Sequence, residues 1–258
     1  MSEFSNVSLS QISINAQPIP IRDANLQLHL IATTGLFDSV AGGSPVTTNG
    51  ANVKRWEDQS GKGNHATQTS TLLAPILLQS AQNSLPAIRF SSDAMQLNTF
   101  VFGQNGSLFV VFRNNDATFG SLLFTGLYVP PSNYIGIITD SSYNVSGQNK
   151  FILSQNDNGN GNSGKLAFSG GSAGSNFIVA SCFCGASVTN GGVARLNGVS
   201  GVNIGTINNG PSFGQIGGQD SPYELKADIG EMLVYNRVLS ESEQMATEQY
   251  LNQKWAIY

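Results

Sequence analysis

Short apolar runs separated by polar turns dominate the sequence from Leu26 to Arg237. Segments such as LQLHLIA and SLFVVF are four to eight residues long and either alternate in polarity or are apolar throughout, as β-strands do. Clusters of Gly, Asn, Ser and Asp, such as NDNGNGNSGK, lie between them and are typical of tight turns. Because no run in this region keeps a helical period, the pattern predicts an all-β, antiparallel double sheet of about a dozen strands without helical crossovers.

The C-terminal end of the sequence changes in character. In LSESEQMATEQYLNQKWAIY, Ser240 precedes Glu243 by three positions, which is the spacing of a capping box. Leu251 and Trp255 are four positions apart and therefore share one face of a helix. The sequence predicts a single short, amphipathic C-terminal α-helix that Trp255 anchors on the sandwich.

Composition narrows the classes of partner. The 258 residues include only 11% charged residues and carry a net charge of −4. Binding to nucleic acid needs clustered Lys and Arg, and the sequence has no such cluster, so we expect no nucleic-acid partner. No apolar run approaches the roughly 20 residues that a membrane helix needs, so we expect no membrane segment.

The N-terminal segment differs from the rest of the chain. Residues 1–24 lack the basic start and apolar stretch of a signal peptide, so no export signal is visible. One short alternating run is followed by Pro18 and Pro20, which favour an extended arm. The alternative is a flexible tail. We predict an arm over residues 1–24 and one sandwich domain over residues 25–258.

Two cysteines, Cys182 and Cys184, lie two positions apart in FIVASCFC. On a strand both point to the same face, with about 6.6 Å between the two positions. That spacing exceeds comfortable disulfide geometry. A C-x-C pair can bind a metal, but no second pair accompanies it, so we expect buried free thiols.

Two segments carry a resemblance to a known family. Val53–Gln68 (VKRWEDQSGKGNHATQ), followed by PAIRF, and Ala227–Arg237 (ADIGEMLVYNR), followed by the predicted helix, resemble the laminin-G-like branch of the concanavalin A-like lectin/glucanase superfamily. The resemblance spans about Leu26 to Tyr258. It implies a jelly-roll β-sandwich. It implies glycan or protein binding only loosely, because one fold hosts many functions.

The residues Trp56, Asp58, Ser60 and His65 form the tightest cluster of chemically capable side chains. One interpretation is a hydrolytic pair in which His65 activates Ser60. The other is a rigid turn in which Asp58 and Ser60 bind nearby backbone groups, with Trp56 in the core. The family resemblance favours the turn.

Asp228 and Glu231 raise the possibility of paired carboxylates for glycoside hydrolysis. Retaining hydrolysis needs the two groups about 5 Å apart on one face, whereas positions three apart on a regular strand point to opposite faces. We therefore expect Glu231 to have a structural role, pairing with an Arg or Lys or capping a neighbouring loop. Together with Ser240, Glu243 and Trp255 it would belong to the closing strand and helix. We expect no catalytic residue and predict that the chain is not an enzyme.

The run Asn156, Asn158, Asn160 and Gly161 imitates the start of a calcium loop. The twelfth position, where such loops carry a glutamate, is Ala167. A hairpin loop is the favoured interpretation. We expect no cofactor and no metal, with a weak calcium site left open.

A tyrosine-rich segment supplies the predicted glycan contacts. Tyr128, Tyr134 and Tyr143, with Asn144 beside the last, lie among Asn, Ser and Asp residues. Aromatic faces stack on sugar rings while amides and carboxylates bind hydroxyls. The alternative is that these tyrosines pack loops or a subunit interface.

Three functions remain. We predict a surface or structural protein of a virus particle, such as a bacteriophage capsid decoration, tail or fibre component, that contacts other virion proteins, copies of itself or host glycans. This location, on the virion or otherwise outside the cell, reconciles a lectin-like fold with the missing export signal. The alternatives are a carbohydrate-binding module of a bacterial surface or secreted protein and a glycoside hydrolase.

Overall fold

The computed structural model describes residues 20–101, 105–115, 176–185, 192–200, 212–218 and 225–258, together with the backbone of the short strands that fall outside these ranges. The proposed arm over residues 1–24 lies outside the described residues except for its last five. Within those five, the backbone carbonyl of Ile21 accepts a hydrogen bond from the Tyr235 hydroxyl at 3.0 Å, so this part of the chain lies against the sandwich.

Strands account for most of the regular structure in the described residues. They are β1 Leu26–Ile31, β2 Leu36–Phe37, β3 Arg55–Trp56, β4 Ala66–Thr67, β5 Ile76–Gln82, β6 Leu85–Ser91, β7 Ala94–Val101, β8 Gly106–Asn114, β9 Phe119–Ser121, β10 Leu123–Phe124, β11 Ile135–Asp140, β12 Lys150–Gln155, β13 Lys165–Ser169, β14 Ile178–Cys184, β15 Gly192–Leu196, β16 Val199–Ser200, β17 Val202–Asn203, β18 Ser212–Gly217 and β19 Lys226–Tyr235. A 3₁₀ turn, Thr71–Leu73, precedes β5, and one α-helix, α1 Glu241–Trp255, follows β19.

The strands form antiparallel sheets. The larger sheet has eight strands in the order β16-β15-β14-β8-β19-β6-β5, with β1 also paired to β19. A six-stranded sheet has the order β10-β18-β7-β4-β3-β2, and five further strands pair in the order β17-β13-β12-β11-β9. Neighbouring strands pair antiparallel throughout the eight-stranded sheet, as the sequence pattern predicts.

Apolar side chains fill the space between the eight-stranded and the six-stranded sheet. Leu28, Val110 and Val234 of the larger sheet belong to one buried cluster with Trp56 and Met95 of the smaller sheet. Burial of this kind is the main favourable contribution to folding. The two layers and the terminal helix confirm the predicted all-β antiparallel sandwich with one C-terminal α-helix.

Helix α1 covers the opposite face of the eight-stranded sheet, called the helix-covered face below. Phe109, Leu233 and Tyr235 of the sheet form a second buried cluster with Leu251 and Trp255 of α1. The central strands are therefore buried on both faces. This double burial explains why the middle of β8 is a continuous apolar run, LFVVF, and why β19 is buried at every position after Lys226, including Asp228 and Glu231.

Helix α1 begins with the predicted capping box but buries a more polar face than expected. The Glu243 backbone N–H donates to the Ser240 hydroxyl at 3.4 Å, and the Ser240 N–H donates to the Glu243 carboxylate at 2.8 Å. The helix face against the sheet consists of Gln244, Thr247, Glu248, Leu251 and Trp255. Polar residues are tolerated there because each has a partner. Gln244 donates to the Leu239 carbonyl at 2.7 Å and Thr247 donates to the Glu243 carbonyl at 2.8 Å, whereas Glu248 takes its partners from the sheet.

One of those partners is a serine of the sheet. The Ser181 hydroxyl donates to the buried Glu248 carboxylate at 2.5 Å. Met245, by contrast, lies on the outer side of the helix and is 58% exposed. The expected amphipathic stripe is therefore only partly apolar. None of the helices in the described residues has the length and apolar character that crossing a bilayer requires.

Candidate functional site

A cleft of about 420 Å³ opens on the surface of the sandwich. It lies between the connection from β1 to β2, the segment 45–47 and the adjacent parts of β5 and β6. Small-molecule sites commonly enclose roughly 300–1,000 Å³, so the cleft has a suitable size. The lining residues are Ala32, Thr33, Thr34, Gly35, Leu36, Pro45, Val46, Thr47, Leu77, Gln79 and Pro86.

Backbone hydrogen bonds shape the first wall of the cleft. The Ala32 N–H donates to the Gly230 carbonyl at 2.9 Å, and the Val46 N–H donates to the Leu36 carbonyl at 2.8 Å. Between them, Gly35 has a φ of +71°, which favours glycine. A Cβ at Gly35 would also lie 2.8 Å from the Cβ of Glu57, so glycine allows the segment that contains Glu57 to pack closely against it.

The second wall is held by one glutamine of β5. The Gln79 amide donates to the Thr47 carbonyl at 2.5 Å, and its backbone N–H donates to Asn49 Oδ1 at 3.0 Å. The Leu77 N–H donates to the Ala51 carbonyl at 2.9 Å. These bonds fix the 45–51 segment along the strand, so the cleft is formed before any ligand arrives.

The cleft has an apolar floor and a polar rim. Its buried lining residues are all apolar: Ala32, Leu36, Val46 and Leu77. The side chains with hydrogen-bonding groups are exposed: Thr33, Thr34, Thr47 and Gln79. None of the eleven lining residues is charged or aromatic. A ligand would therefore meet aliphatic contacts below and hydroxyl and amide groups at the edge.

The Asp58 carboxylate organises the turn that follows Trp56. It accepts hydrogen bonds from the backbone N–H groups of His29 (2.9 Å), Ser60 (2.9 Å) and Asn64 (3.0 Å). The Ser60 hydroxyl also donates to it, at 2.6 Å. The carboxylate thus joins β1 to the turn, which is the arrangement expected of a structural turn.

The structure does not pair Ser60 with His65. His65 Nδ1 accepts a hydrogen bond from the Asp58 backbone N–H at 3.1 Å, and the Ser60 hydroxyl lies against Asp58 and the Gln27 carbonyl. Trp56 is fully buried in the core between the sheets. The cluster that suggested a nucleophile therefore has the geometry of a hydrogen-bonded turn.

Glu231 lies beneath helix α1 with no exposed surface. Its carboxylate accepts hydrogen bonds from His29 Nε2 (2.8 Å), the Tyr250 hydroxyl (2.8 Å), Lys254 Nζ (2.8 Å) and Trp255 Nε1 (2.9 Å). Burial raises the pKa of Glu231, but the His29 hydrogen bond and the Lys254 charge outweigh burial, so the pKa lies below its ordinary value. The group remains ionised and links β1, β19 and α1.

The expectation that Asp228 and Glu231 face opposite sides is wrong. A β-bulge between Ile229 and Glu231 shifts the register of β19 against β8. Ile229 and Met232 consequently both point into the core between the sheets, and Asp228 and Glu231 share the helix-covered face. Gly230 supplies the extra residue, which a regular-strand argument cannot anticipate.

Asp228 forms a separate ionic cluster on that face. It stands opposite Arg89 and Arg113 on the two neighbouring strands, and both guanidinium groups donate to its carboxylate. Asn115 donates to it as well, at 2.9 Å. Burial raises the pKa of Asp228, but these hydrogen bonds lower the pKa by a larger amount, so it lies below its ordinary value. Asp228 and Glu231 therefore each have their own set of donors.

The two cysteines lie in the core between the sheets. Cys182 and Cys184 are free and buried, with 3.3 Å between their sulfurs. Burial raises the pKa of the Cys182 thiol, so it stays protonated near neutral pH. No group of three or more His, Cys, Asp or Glu side chains among the described residues could hold a metal ion.

Two sets of predicted residues lie outside the described residues. They are the tyrosine-rich contacts Tyr128, Tyr134, Tyr143 and Asn144, and the calcium-like run Asn156, Asn158 and Asn160. The cleft, conversely, was not anticipated from the sequence. Its walls come from three separate segments, residues 32–36, 45–47 and 77–86, and its lining residues form no recognisable sequence motif.

Comparison with known proteins indicates the fold. No protein-family model and no curated protein matches the sequence. Several of the solved structures that the chain resembles have TM-scores above 0.5. One is Trypanosoma rangeli sialidase bound to a difluoro-KDN compound (TM-score 0.54, 13% identity, 90% of this chain and 33% of that chain). Two others are a GH54 α-L-arabinofuranosidase soaked with a cyclic sulfate inhibitor (0.53, 14%, 80% and 52%) and the binding domain of Paraclostridial Mosquitocidal Protein 1 (0.51, 10%, 89% and 52%).

These matches show a shared fold and no more. The chain covers from a third to about half of the length of the three proteins, and the identities lie between 10% and 14%. The comparison therefore supports the β-sandwich fold, whereas the jelly-roll and laminin-G-like assignment stays a prediction.

The prediction that the chain is not an enzyme is corrected by the same comparison. Two of the three similar structures are enzymes, a sialidase and an arabinofuranosidase. The argument against hydrolysis also assumed that Asp228 and Glu231 point to opposite faces of the sheet. The bulge at Gly230 places them on one face, so that assumption fails. The sequence therefore gives no ground for excluding catalysis, and the fold alone assigns no activity.

Proposed function

We propose that this chain is a glycan-binding β-sandwich domain and that its ligand occupies the cleft between the β1–β2 connection, residues 45–47 and β5. The observation that carries this proposal is the lining of the cleft. A buried aliphatic floor next to an uncharged rim of hydroxyl and amide groups matches a ligand that has both C–H surface and many hydroxyls.

The similar structures support a role in glycan recognition. Two are named for activity on sugars, and the third is named a binding domain. Because these likenesses show only the fold, they support a glycan-related function in general terms. The position of the proposed site is inferred from the geometry of this chain alone. Helix α1 does not cover the cleft, because the buried floor residues belong to the cluster between the sheets and not to the cluster beneath α1.

The tyrosine-rich segment belongs to the same proposal as a second contact region. Tyr128, Tyr134 and Tyr143 would stack on further sugar units, with Asn144 binding hydroxyls. Separate alanine variants of the three tyrosines test this. Loss of binding to long but not short glycans would support the second region, and unchanged binding to both would remove it.

We further propose that the chain is a subunit on the surface of a virus particle, where it contacts other virion proteins or its own copies. Its support is the composition, which is low in charge and rich in Asn, Ser and Gly. An antibody against the chain should label purified virus particles from the source. Labelling of cell envelopes instead would favour a module of a bacterial surface protein.

A glycan array probed with the full chain tests glycan binding, and one pair of variants tests the site. Thr34 is an exposed lining residue, so Thr34→Trp places an indole in the cleft without disturbing the core. Met245→Trp adds the same group on the outer side of α1 and is the matched control. We expect signals that Thr34→Trp abolishes and Met245→Trp leaves unchanged. Array signals that survive Thr34→Trp would place the site elsewhere.

A further inference from the structure

We propose that the cleft selects a neutral saccharide that carries a methyl group, such as an N-acetyl or a 6-deoxy sugar, over acidic sugars and over sugars without a methyl group. This inference rests on the proposed function, because it names the ligand class of the same site. It follows from three properties of the lining: its charge, its floor and its rim.

The charge of the cleft disfavours an anionic ligand. None of the lining residues is a Lys, Arg or His, so a carboxylate in the cleft would be desolvated without a cationic partner. Glu57, which packs behind Gly35, is a carboxylate already engaged by Arg55 at 3.1 Å. The net charge of −4 adds a weak repulsion for anions. Uronic and sialic acids are therefore poor ligands for this site.

The floor of the cleft favours a methyl group. Carbohydrate sites often use an aromatic ring to cover a sugar face, and the lining contains none. Leu36, Val46 and Leu77 instead present aliphatic groups that are buried at the bottom of the cleft. A methyl substituent is the part of a sugar that such a floor can remove from water. A ring that carries only hydroxyls offers the floor its C–H groups alone and so removes less apolar surface from water.

The rim supplies the polar contacts for the rest of the sugar. No group in the described part of the chain forms a hydrogen bond with the hydroxyls of Thr33, Thr34 or Thr47. Each hydroxyl can donate one hydrogen bond and accept two. The Gln79 amide is fixed by its bond to the Thr47 carbonyl. These groups can bind sugar hydroxyls without first breaking a contact within the protein.

Saturation-transfer NMR with pairs of free sugars tests the methyl preference on the full chain. L-fucose and L-galactose differ only in the group at C6, and N-acetylglucosamine and glucose differ in the acetamido group. Methyl glycosides are avoided because they would introduce a methyl group of their own. We expect about tenfold tighter binding of the methyl-bearing member of at least one pair, with the strongest transfer at the methyl protons. Equal affinities in both pairs would overturn the inference.

A charge variant tests the neutrality of the site. Thr33→Arg places a cation at the exposed rim, and Met245→Arg places the same cation on the outer side of α1, outside the cleft. The unmodified chain should not bind glucuronic acid, whereas Thr33→Arg should bind it and Met245→Arg should not. Binding of glucuronic acid by the unmodified chain, as strongly as of N-acetylglucosamine, would overturn the inference.

The two levels of the proposal fail in distinguishable ways. If no glycan binds the full chain on the array, the proposed function fails and this inference fails with it. If glycans bind and Thr34→Trp blocks them, but acidic or methyl-free sugars bind equally well, the proposed function stands and only the ligand class is wrong.

Discussion

The indole N–H of Trp255 donates a hydrogen bond to the buried carboxylate of Glu231 at 2.9 Å. This contact joins the last turn of α1 to the central strand of the larger sheet. Lys254, one residue earlier, donates to the same carboxylate at 2.8 Å. One buried carboxylate therefore ties the last turn of the helix to β19, in addition to the apolar contacts of Leu251 and Trp255 with the sheet.

Removing this carboxylate should loosen the helix. Glu231→Ala leaves the His29 ring, the Tyr250 hydroxyl and the Trp255 indole N–H without their acceptor beneath the helix, and Lys254 keeps only the Tyr250 hydroxyl. Breaking a buried pair by removing one partner costs about 3–5 kcal/mol, so the free energy of unfolding should fall by about that amount in urea denaturation. Glu57→Ala removes the more exposed pair with Arg55 and should change it by less than about 1 kcal/mol. Equal losses in the two variants would contradict the role given to Glu231.

Gly230 provides the space that Trp255 occupies. A Cβ at Gly230 would lie 2.6 Å from Cζ3 and 2.8 Å from Cζ2 of the indole. Gly230→Ala should therefore lower the free energy of unfolding by about 1–3 kcal/mol, as overpacking does. Trp255→Phe shortens the ring, so Gly230→Ala should cost less in that background. Additive losses in the double variant would show that the clash with Trp255 is not the cause.

Stability should fall in acid because three structural carboxylates have lowered pKa values. The Arg237 guanidinium lowers the pKa of Glu243 to about 2, and the pKa values of Asp228 and Glu231 also lie below their ordinary values. A group with a lowered folded-state pKa stabilises the fold above its ordinary pKa and loses that contribution as the pH falls through the folded value. The urea midpoint should therefore decline from about pH 4.5 toward pH 2. Glu243→Gln should flatten this decline, and an unchanged slope would contradict the assignment.

The capping box should contribute measurably to helix α1. Ser240→Ala removes the acceptor for the Glu243 backbone N–H and should reduce the free energy of unfolding by about 1 kcal/mol. Ser242→Ala removes a hydroxyl that lies 3.2 Å from the Ser240 hydroxyl but caps no backbone N–H, so it should change the free energy of unfolding by no more than about 0.5 kcal/mol. If both variants unfold at the same urea concentration, the cap does not stabilise the protein.

The buried thiols should be unreactive in the folded protein. Cys182 and Cys184 have almost no exposed surface, and burial raises the pKa of the Cys182 thiol. An aromatic disulfide reagent should therefore modify neither cysteine at pH 8 until urea unfolds the chain. Fast modification without denaturant would show that the strand β14 opens locally.

Some features of this protein follow from local sequence. The short apolar runs predict the strands, and the Ser240–Glu243 spacing predicts where α1 begins, because both depend on neighbours a few residues apart. The turn after Trp56 is also local in origin, since Asp58 binds Ser60 and Asn64 in its own loop. The three-residue spacing of Asp228 and Glu231, in contrast, led to the wrong face because the bulge at Gly230 depends on pairing with β8, far away in the chain.

The sequence by itself determined the all-β class, the capped terminal helix and the free thiols. Tertiary structure alone decided that the helix buries Thr247 and Glu248, that Glu231 gathers donors from β1 and α1, and that a cleft opens beside β5. The physical reason is the range of the interactions. Periodicity and capping act within a few residues, whereas a binding cleft and a buried charge network exist only where distant segments meet in a fixed register.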